Sequence, residues 1–240
     1  MIDFHSHVLP GIDDGAEDID TALAILRESF RQGVDLLCAT PHFYADVDNP
    51  AAFLKNREAA YRALRGAMQG EENLPQILLG AEVLYFPGIS VADEIRDLCL
   101  QGTPFLLVEP PMLPWSDSML DEVELCGRNL GCVPVLAHID RYMRLLRDPT
   151  LFDRVRGRRL LIQANASFFL HRGSRDFALD CLSRGRIHFL GSDCHDLDAR
   201  RPNLAYAADI IEEAGLTDSL EKLDALARRV IMNSDFGIRN

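Results

Sequence analysis

The chain has 240 residues, 48% of them hydrophobic and 26% charged, which suits one packed core and an ordinary soluble globular composition. A net charge of -12 and a pI near 5.0 argue against a nucleic-acid partner held mainly through its phosphates. No apolar run is long enough for direct membrane insertion, and the start MIDFHSH lacks the basic-then-apolar order of a secretion signal, so a cytoplasmic location is expected.

Short apolar runs alternate with stretches of helical apolar spacing along the chain. MIDF comes first and is followed by a helical pattern over 19–31. VDLLCAT from Val34 precedes a helix over 51–68, QILLGA from Gln76 one over 91–100, and FLLVE from Phe105 one over 119–130. VPVLAH from Val133 and LLIQAN from Leu160 lead to a helix over 177–183, and IHFLGSD from Ile187 leads to a helical stretch over 204–231, broken near Gly215. Each apolar run has the length of a strand buried on both faces, and the alternation predicts an α/β fold with a parallel sheet, open or closed into a barrel. No repeat underlies the even spacing, and the Pro/Gly-rich stretches 9–15 and 109–114 read as loops rather than linkers, so residues 1–240 are expected to form a single domain.

The positions of the histidines and acids carry the chemistry. His5 and His7 close the first strand, His42 follows the second, Glu82 the third and Glu109 the fourth; His138 ends the fifth, and Asp193 and His195 end the seventh. Parallel barrel strands point their C-terminal ends at one face, so these side chains should converge there. Imidazole mixed with carboxylate suits divalent Mn, Fe or Zn, and the scarcity of thiolates argues against a structural zinc site. His-x-His on a strand places both rings on one side. Asp14, in the loop GIDDGA, can reach back over the site, and the donors exceed what one ion needs, so a carboxylate such as Glu82 should bridge two. Taken singly, each residue has a plain alternative: His42 an ordinary loop residue, His138 a hydrogen-bonded core histidine, Asp193 a cap. Six of seven strands ending in such a residue is hard to obtain by chance. His171 and His188 fall off the pattern and read as structural or solvated. The six cysteines are scattered, with no Cys-x-x-Cys, and read as reduced core residues.

MIDFHSHVLPGIDDGA, ATPH at His42, LLGAE, LLVE, AHIDRY and GSDCH resemble the polymerase-and-histidinol-phosphatase (PHP) superfamily, and within it the bacterial manganese-dependent protein tyrosine phosphatases of capsule and exopolysaccharide assembly. The resemblance implies a distorted TIM-like (β/α)7 barrel with three divalent metal ions, Mn²⁺ favoured and Fe or Zn possible. By the same resemblance His5, His7, Glu82 and Asp193 hold the first ion; Glu82, Glu109 and His138 the second; Asp14, His42 and His195 the third. Arg141 and Arg200 match the phosphate-binding arginines. The implied partner is a phosphotyrosyl protein, an autophosphorylating bacterial tyrosine kinase. Two departures, Cys194 between Asp193 and His195 and the ending MNSDFGIRN, touch no ligand.

Cys194 and Arg200 also have the Cys-x5-Arg spacing of cysteine-dependent phosphatases. The intervening HDLDA has two acids and no glycine, which would repel phosphate and raise the thiol pKa, so the match reads as coincidence. The expected reaction is phosphomonoester hydrolysis by metal-activated water, with Arg141 and Arg200 as forked donors and Asp14 or a site histidine able to help the leaving group. Phe43, Tyr44 and Trp115 either receive a phenyl ring or simply cover the barrel mouth, and Arg201 reads as solvated. The rivals are a small-molecule phosphatase such as a histidinol-phosphate enzyme, a related deacylase or deaminase, which a strand-end lysine would favour and none is present, and a non-catalytic PHP domain, which missing ligands would mark and none is missing.

Overall fold

The computed structural model describes residues 1–146 and 150–232; residues 233–240, nearly all of the unusual ending, lie outside them. Parallel strands form two ladders. β1 (Ile2–Ser6), β2 (Leu36–Ala39) and β4 (Gln76–Leu79) make the first, in the order β1-β2-β4. β3 (His42–Phe43), β5 (Glu82–Leu84), β6 (Phe105–Glu109), β7 (Val133–Leu136), β8 (Leu161–Asn165) and β9 (Phe189–Gly191) make the second, in the order β3-β5-β6-β7-β8-β9. β3 prolongs β2 beyond Thr40-Pro41, and β5 prolongs β4 beyond Gly80-Ala81. Pro41 has no N–H to give a ladder. Gly80 N donates to Ala39 O at 2.8 Å and Glu82 N to Pro41 O at 2.9 Å, so pairing continues across both breaks. At the other edge Asp193 N donates to His5 O at 2.8 Å and His7 N to Cys194 O at 2.9 Å, beside a parallel bridge of Ser6 with Cys194. The seven expected strands are therefore all present, two of them split, in a curled parallel sheet of the distorted barrel type.

The first expected helix is found with its boundaries: α1 (Ile19–Arg31) is capped by Asp18, which accepts from Thr21 N at 2.8 Å. α2 (Pro50–Ala67) starts one residue early because Asn49 caps it and proline suits the first turn. α3 (Asp117–Leu130) starts at the Ser116 cap and ends at Gly131, whose φ of 72° closes the helix. The α-helix expected over 91–100 is instead a pair of 3-10 turns, Ile89–Val91 and Asp93–Leu98. Ile89, Ala92, Ile95 and Leu98 recur every three residues, the 3-10 period, and all but Ala92 are buried. Three short helices carry too few turns to show a period in the sequence: α4 (Ile139–Leu146), α5 (Leu151–Val155) and α6 (Ser167–Leu170). α7 (Arg175–Ser183), α8 (Leu204–Glu213) and α9 (Thr217–Met232) complete the chain, with Gly215 (φ 73°) between the last two.

Side-chain alternation divides the strands into two faces. Leu37, Leu79, Leu106, Val108, Leu136, Ile162 and Leu190 pack outward against helix residues such as Leu26, Phe53, Leu120 and Ile211. The alternate file, Phe4, Cys38, Leu78, Leu107, Val135 and Phe189, forms a second cluster with Ala227 and Ile231 of α9, and the Phe4 and Phe189 rings stack 3.9 Å apart. Followed toward the strand C-termini, this file changes character: Phe105–Leu107–Glu109, Leu161–Gln163–Asn165, Phe189–Gly191–Asp193. A register shift between Asp3 and Ser6 re-phases β1, so Phe4 joins the apolar floor while His5 and His7 join the polar end. At the strand N-termini Ile2 N donates to Asp224, and Arg228 links Asp224 to Asp35, each contact 2.7–2.9 Å, tying α9 across this end.

Candidate metal centre

The polar end gathers every sequence-predicted donor. Glu82 lies at the middle: its Oε2 is 3.2 Å from both His5 Nε2 and His7 Nε2 and 3.1 Å from His42 Nδ1, while Oε1 is 2.6 Å from His138 Nε2. His138 Nε2 is 3.6 Å from Glu109 Oε1. Asp193 Oδ1 lies 3.7 Å from His5 and 3.6 Å from His7. Asp14 Oδ1 lies 3.4 Å from His42 Nε2 and 3.3 Å from His195 Nε2. Three sets offer donor atoms mutually within 4.8 Å: His7, Asp14, His42 and His195; His5, His7 and Asp193; His42, Glu82 and Glu109. These sets differ in detail from those the resemblance implied: His7 joins the Asp14 set, and His42 rather than His138 completes the Glu109 set.

The backbone is distorted to make this possible. Besides Asn73 in a loop, two described non-glycine residues take left-handed conformations, His138 (φ 28°) and Asp193 (φ 54°), each a cost of about 1–3 kcal/mol that the surroundings must hold. Gly191 is required by space, since a Cβ there would stand 2.6 Å from His5 Cβ and 2.8 Å from Gln163 Nε2.

Several supporting residues were not foreseen. Asp13, neighbour of the expected Asp14, accepts from His7 Nδ1 at 2.7 Å and from His42 N at 3.0 Å. Gln163 Oε1 accepts from His138 N at 2.7 Å and lies 3.2 Å from His5 Nδ1, and Gln163 Nε2 donates to Asn165 Oδ1. Asn165 Nδ2 donates to Asp193 Oδ2 at 2.9 Å, and buried Asp3 accepts from Ser192 N and Oγ. Such partners fix a ring's tautomer and aim. A signal for Gln163 and Asn165 was present: LLIQAN is the strand without a terminal His or acid, yet it carries two amides on one face. Nothing in GIDDGA separates Asp13 from Asp14.

Both arginines reach the centre. Arg141 donates to Glu109 Oε1 (3.2 Å) and Asp193 Oδ2 (2.9 Å), Arg200 to Asp193 Oδ1 (3.0 Å) and Asp14 Oδ2 (3.2 Å). They line a cavity of about 240 Å³ that opens onto Asp193. The aromatic expectations separate. Tyr44 stays at the site, its ring stacked on His42 at 5.3 Å. Phe43 does not: it is buried in the outer core, edge-on to Phe53, because the strand alternation that turns His42 inward turns its neighbour away. Trp115 is buried too and donates to Pro111 O, so it covers rather than receives. Arg201 lies exposed over the Tyr206 ring. His188 Nδ1 accepts from Ile162 N, a structural role, and His171 is exposed. All six cysteines are buried free thiols. Burial, then the charge of Asp3, pushes the Cys194 thiol up, so it is no nucleophile; burial rather than the HDLDA acids dominates.

The electrostatics suit cations. Burial opposes charge on His7, but hydrogen bonds with Asp13 and Glu82 overcome it and raise its pKa to about 10. Burial likewise opposes charge on Glu82, yet the surrounding histidines hold it well below the usual carboxylate range. Burial, then the His7 charge, lowers His195 to about 4. Burial and then Glu82 raise Glu109. In the chain alone the His7 ring thus carries positive charge among these carboxylates, while His195 stays neutral. His42 Nδ1, His138 Nδ1 and His195 Nε2 are buried with no hydrogen-bond partner, although Glu82 and Asp14 oxygens lie within 3.1–3.3 Å of His42 Nδ1 and His195 Nε2. Ring nitrogens left without partners beside converging carboxylate oxygens fit divalent ions held by nitrogen and oxygen.

A family model described as capsular polysaccharide synthesis, CpsB/CapC, matches residues 1–231. Tyrosine-protein phosphatase CpsB of Streptococcus agalactiae is 31% identical over 224 residues, covering 88% of this chain and 89% of that protein. Tyrosine-protein phosphatase YwqE of Bacillus subtilis is 28% identical over 229 residues, covering 89% and 84%. A solved structure, described under crystal structures of YwqE from Bacillus subtilis and CpsB from Streptococcus pneumoniae, unique metal-dependent tyrosine phosphatases, superposes with a TM-score of 0.85 at 25% identity, covering 98% of this chain and 95% of that one.

Proposed function

The chain belongs to the capsular polysaccharide synthesis CpsB/CapC family, and from that premise we propose a metal-dependent protein tyrosine phosphatase formed by residues 1–240 as one domain. His5, His7, Asp14, His42, Glu82, Glu109, His138, Asp193 and His195 hold three divalent ions, Mn²⁺ favoured, with Glu82 shared. The observation that supports this best is Glu82, buried and within 2.6–3.2 Å of four imidazoles, two from β1 and its end, one from β3 and one from the loop end that follows β7. Bound divalent ions would supply the charge that offsets the phosphate oxygens and lowers the pKa of water.

The chain's own groups account for the rest. Arg141 and Arg200 present forked donors at the cavity rim, suited to the remaining phosphate oxygens once they exchange Asp193 for the substrate. Their placement favours a phosphate substrate over an amide or an aminopyrimidine. Tyr44, beside His42, offers a face to an entering phenyl ring. A departing phenolate, with a pKa near 10, asks little of a general acid. Asp13 and Gln163 keep the His7 and His5 rings aimed. The substrate is a phosphotyrosyl protein, namely an autophosphorylating tyrosine kinase of capsule or exopolysaccharide synthesis. Six buried free thiols suit the reducing cytoplasm, and among the described residues no helix is long and apolar enough to cross a membrane. The test is metal analysis of the purified protein joined to phosphotyrosyl-peptide hydrolysis before chelation, after it, and with Mn²⁺ restored. Full activity in the stripped protein would refute the assignment.

A further inference from the structure

A second cavity lies at the opposite end of the strands. It is about 450 Å³, between the turns that enter β8 and β9. Each turn carries the same tripeptide: Arg156-Gly157-Arg158 after α5, and Arg184-Gly185-Arg186 after α7. All four arginines line the cavity with His188 and an apolar wall that includes Phe152 and Ile162, and among the described residues no carboxylate lines it. This is an unusual concentration of positive charge in a chain of net charge -12.

The structural demands on these arginines are already met or slight. The carbonyls at the end of α7 are taken by backbone donors: Arg184 N to Asp180 O, Gly185 N to Leu182 O and Arg186 N to Cys181 O. The guanidiniums are not needed there. Arg158 is anchored on its outer side by Asp121, by Glu124 at 3.6 Å and by Asp117 at 3.8 Å, and its Nε donates to Arg154 O, so it is largely committed and serves as a fixed charge at the cavity wall. Arg184 uses Nε on Asp180, and Arg186 meets Asp153 only at 3.7 Å. Among the described residues no carboxylate pairs with Arg156. A guanidinium has five donors, so those of Arg156, Arg184 and Arg186 are mostly uncommitted. His188 Nδ1 accepts the Ile162 N–H at 3.1 Å, so the neutral ring carries its proton on Nε2, one more donor. Gly157 and Gly185, at φ 86° and 64°, have no atom within 4 Å of where a Cβ would stand, leaving the turns open to a ligand.

We propose that this cavity binds a small organic diphosphate, gripped between the two Arg-Gly-Arg turns and remote from the metal centre. Two paired turns suit two linked phosphates, since each guanidinium can bridge two oxygens. The volume suits a small-molecule site, and Phe152 and Ile162 give an organic portion a surface to lie on. A site at the strand N-termini is separated from the C-terminal chemistry by the length of β8, roughly 15 Å.

The test is isothermal titration of the metal-loaded full chain with inorganic pyrophosphate and with ADP. The unsubstituted protein should show two classes of site, one at the metal centre. Arg156→Gln with Arg184→Gln, both on exposed side chains, should weaken the second class about tenfold or more, the loss expected for charge-assisted bonds. The same pair should leave phosphotyrosyl-peptide kcat/KM within about twofold, which also shows that it folds. ADP should bind this class more tightly than pyrophosphate if the apolar wall contributes. Identical isotherms for the two proteins, or a single class of site throughout, would overturn the proposal.

Discussion

The two ends of the strand file obey opposite rules. At the floor, Phe4 and Phe189 stack at 3.9 Å, with Leu107 and Val135 packed alongside. At the polar end, five histidines, three buried carboxylates and two arginines are pressed together, three ring nitrogens lack partners, and the backbone is left-handed at His138 and Asp193. The floor gains stability from burial, while the polar end surrenders some of it to hold donors in place. One barrel supports both because a strand's inward positions can change from apolar to ionisable within two residues, as in Leu107–Glu109.

Substitutions should separate the two ends sharply. The largest effect is expected from Glu82→Gln, which removes the shared carboxylate; phosphotyrosyl-peptide kcat should fall by about a thousandfold or more, and survival of activity would break the contrast. Phe189→Ala should cost about 3–5 kcal/mol in denaturant unfolding, from lost transfer energy and the cavity left behind, yet leave kcat/KM of the folded fraction nearly unchanged. Gln163→Ala and Asp13→Asn each keep the ligands but free their rings; metal affinity, read by titration, should fall about 10–100-fold. Cys194→Ser should retain activity within a few-fold, since its thiol is buried and held protonated.

The smallest effect belongs to the clamp at the strand N-termini. The hydrogen bond from Arg228 holds the Asp35 carboxyl at about 2, below its ordinary 3.8. A depressed folded pKa means the contribution is full above pH 4 and fades as pH falls toward 2. The pair is half-exposed and screened, so Asp35→Asn should cost about 0.5 kcal/mol or less near neutral pH, and unfolding curves of the two proteins should merge near pH 2. A large cost would show that α9 depends on this contact more than on Ala227 and Ile231.

The sequence displayed the ends of the strands better than their middles. Apolar runs located all seven strands, and six of them close on a His, Asp or Glu that the fold brings to the polar end, because strand-end position and side-chain chemistry are both local. The break at Gly80 was not legible, since it depends on neighbours such as Leu100 that meet the chain only after folding, whereas Pro41, with no N–H to give, marked its own. The inward turn of His42 and outward turn of Phe43 required the register. Asp13 and Gln163 were missed for the same reason: a hydrogen-bond partner is defined by what lies across the barrel, and 158 residues separate Gln163 from His5. The 3-10 turns at 89–98 could have been read from their three-residue period.

The left-handed backbone at Asp193 makes that position hard to vacate. Asp193→Gly would relieve about 1 kcal/mol of local conformational penalty, but it would leave Arg141, Arg200 and Asn165 without the carboxylate they bond and the neighbouring histidines without its charge. Even the metal-free chain would lose more than it gained, so descendants released from turnover would still find the aspartate anchored by its neighbours.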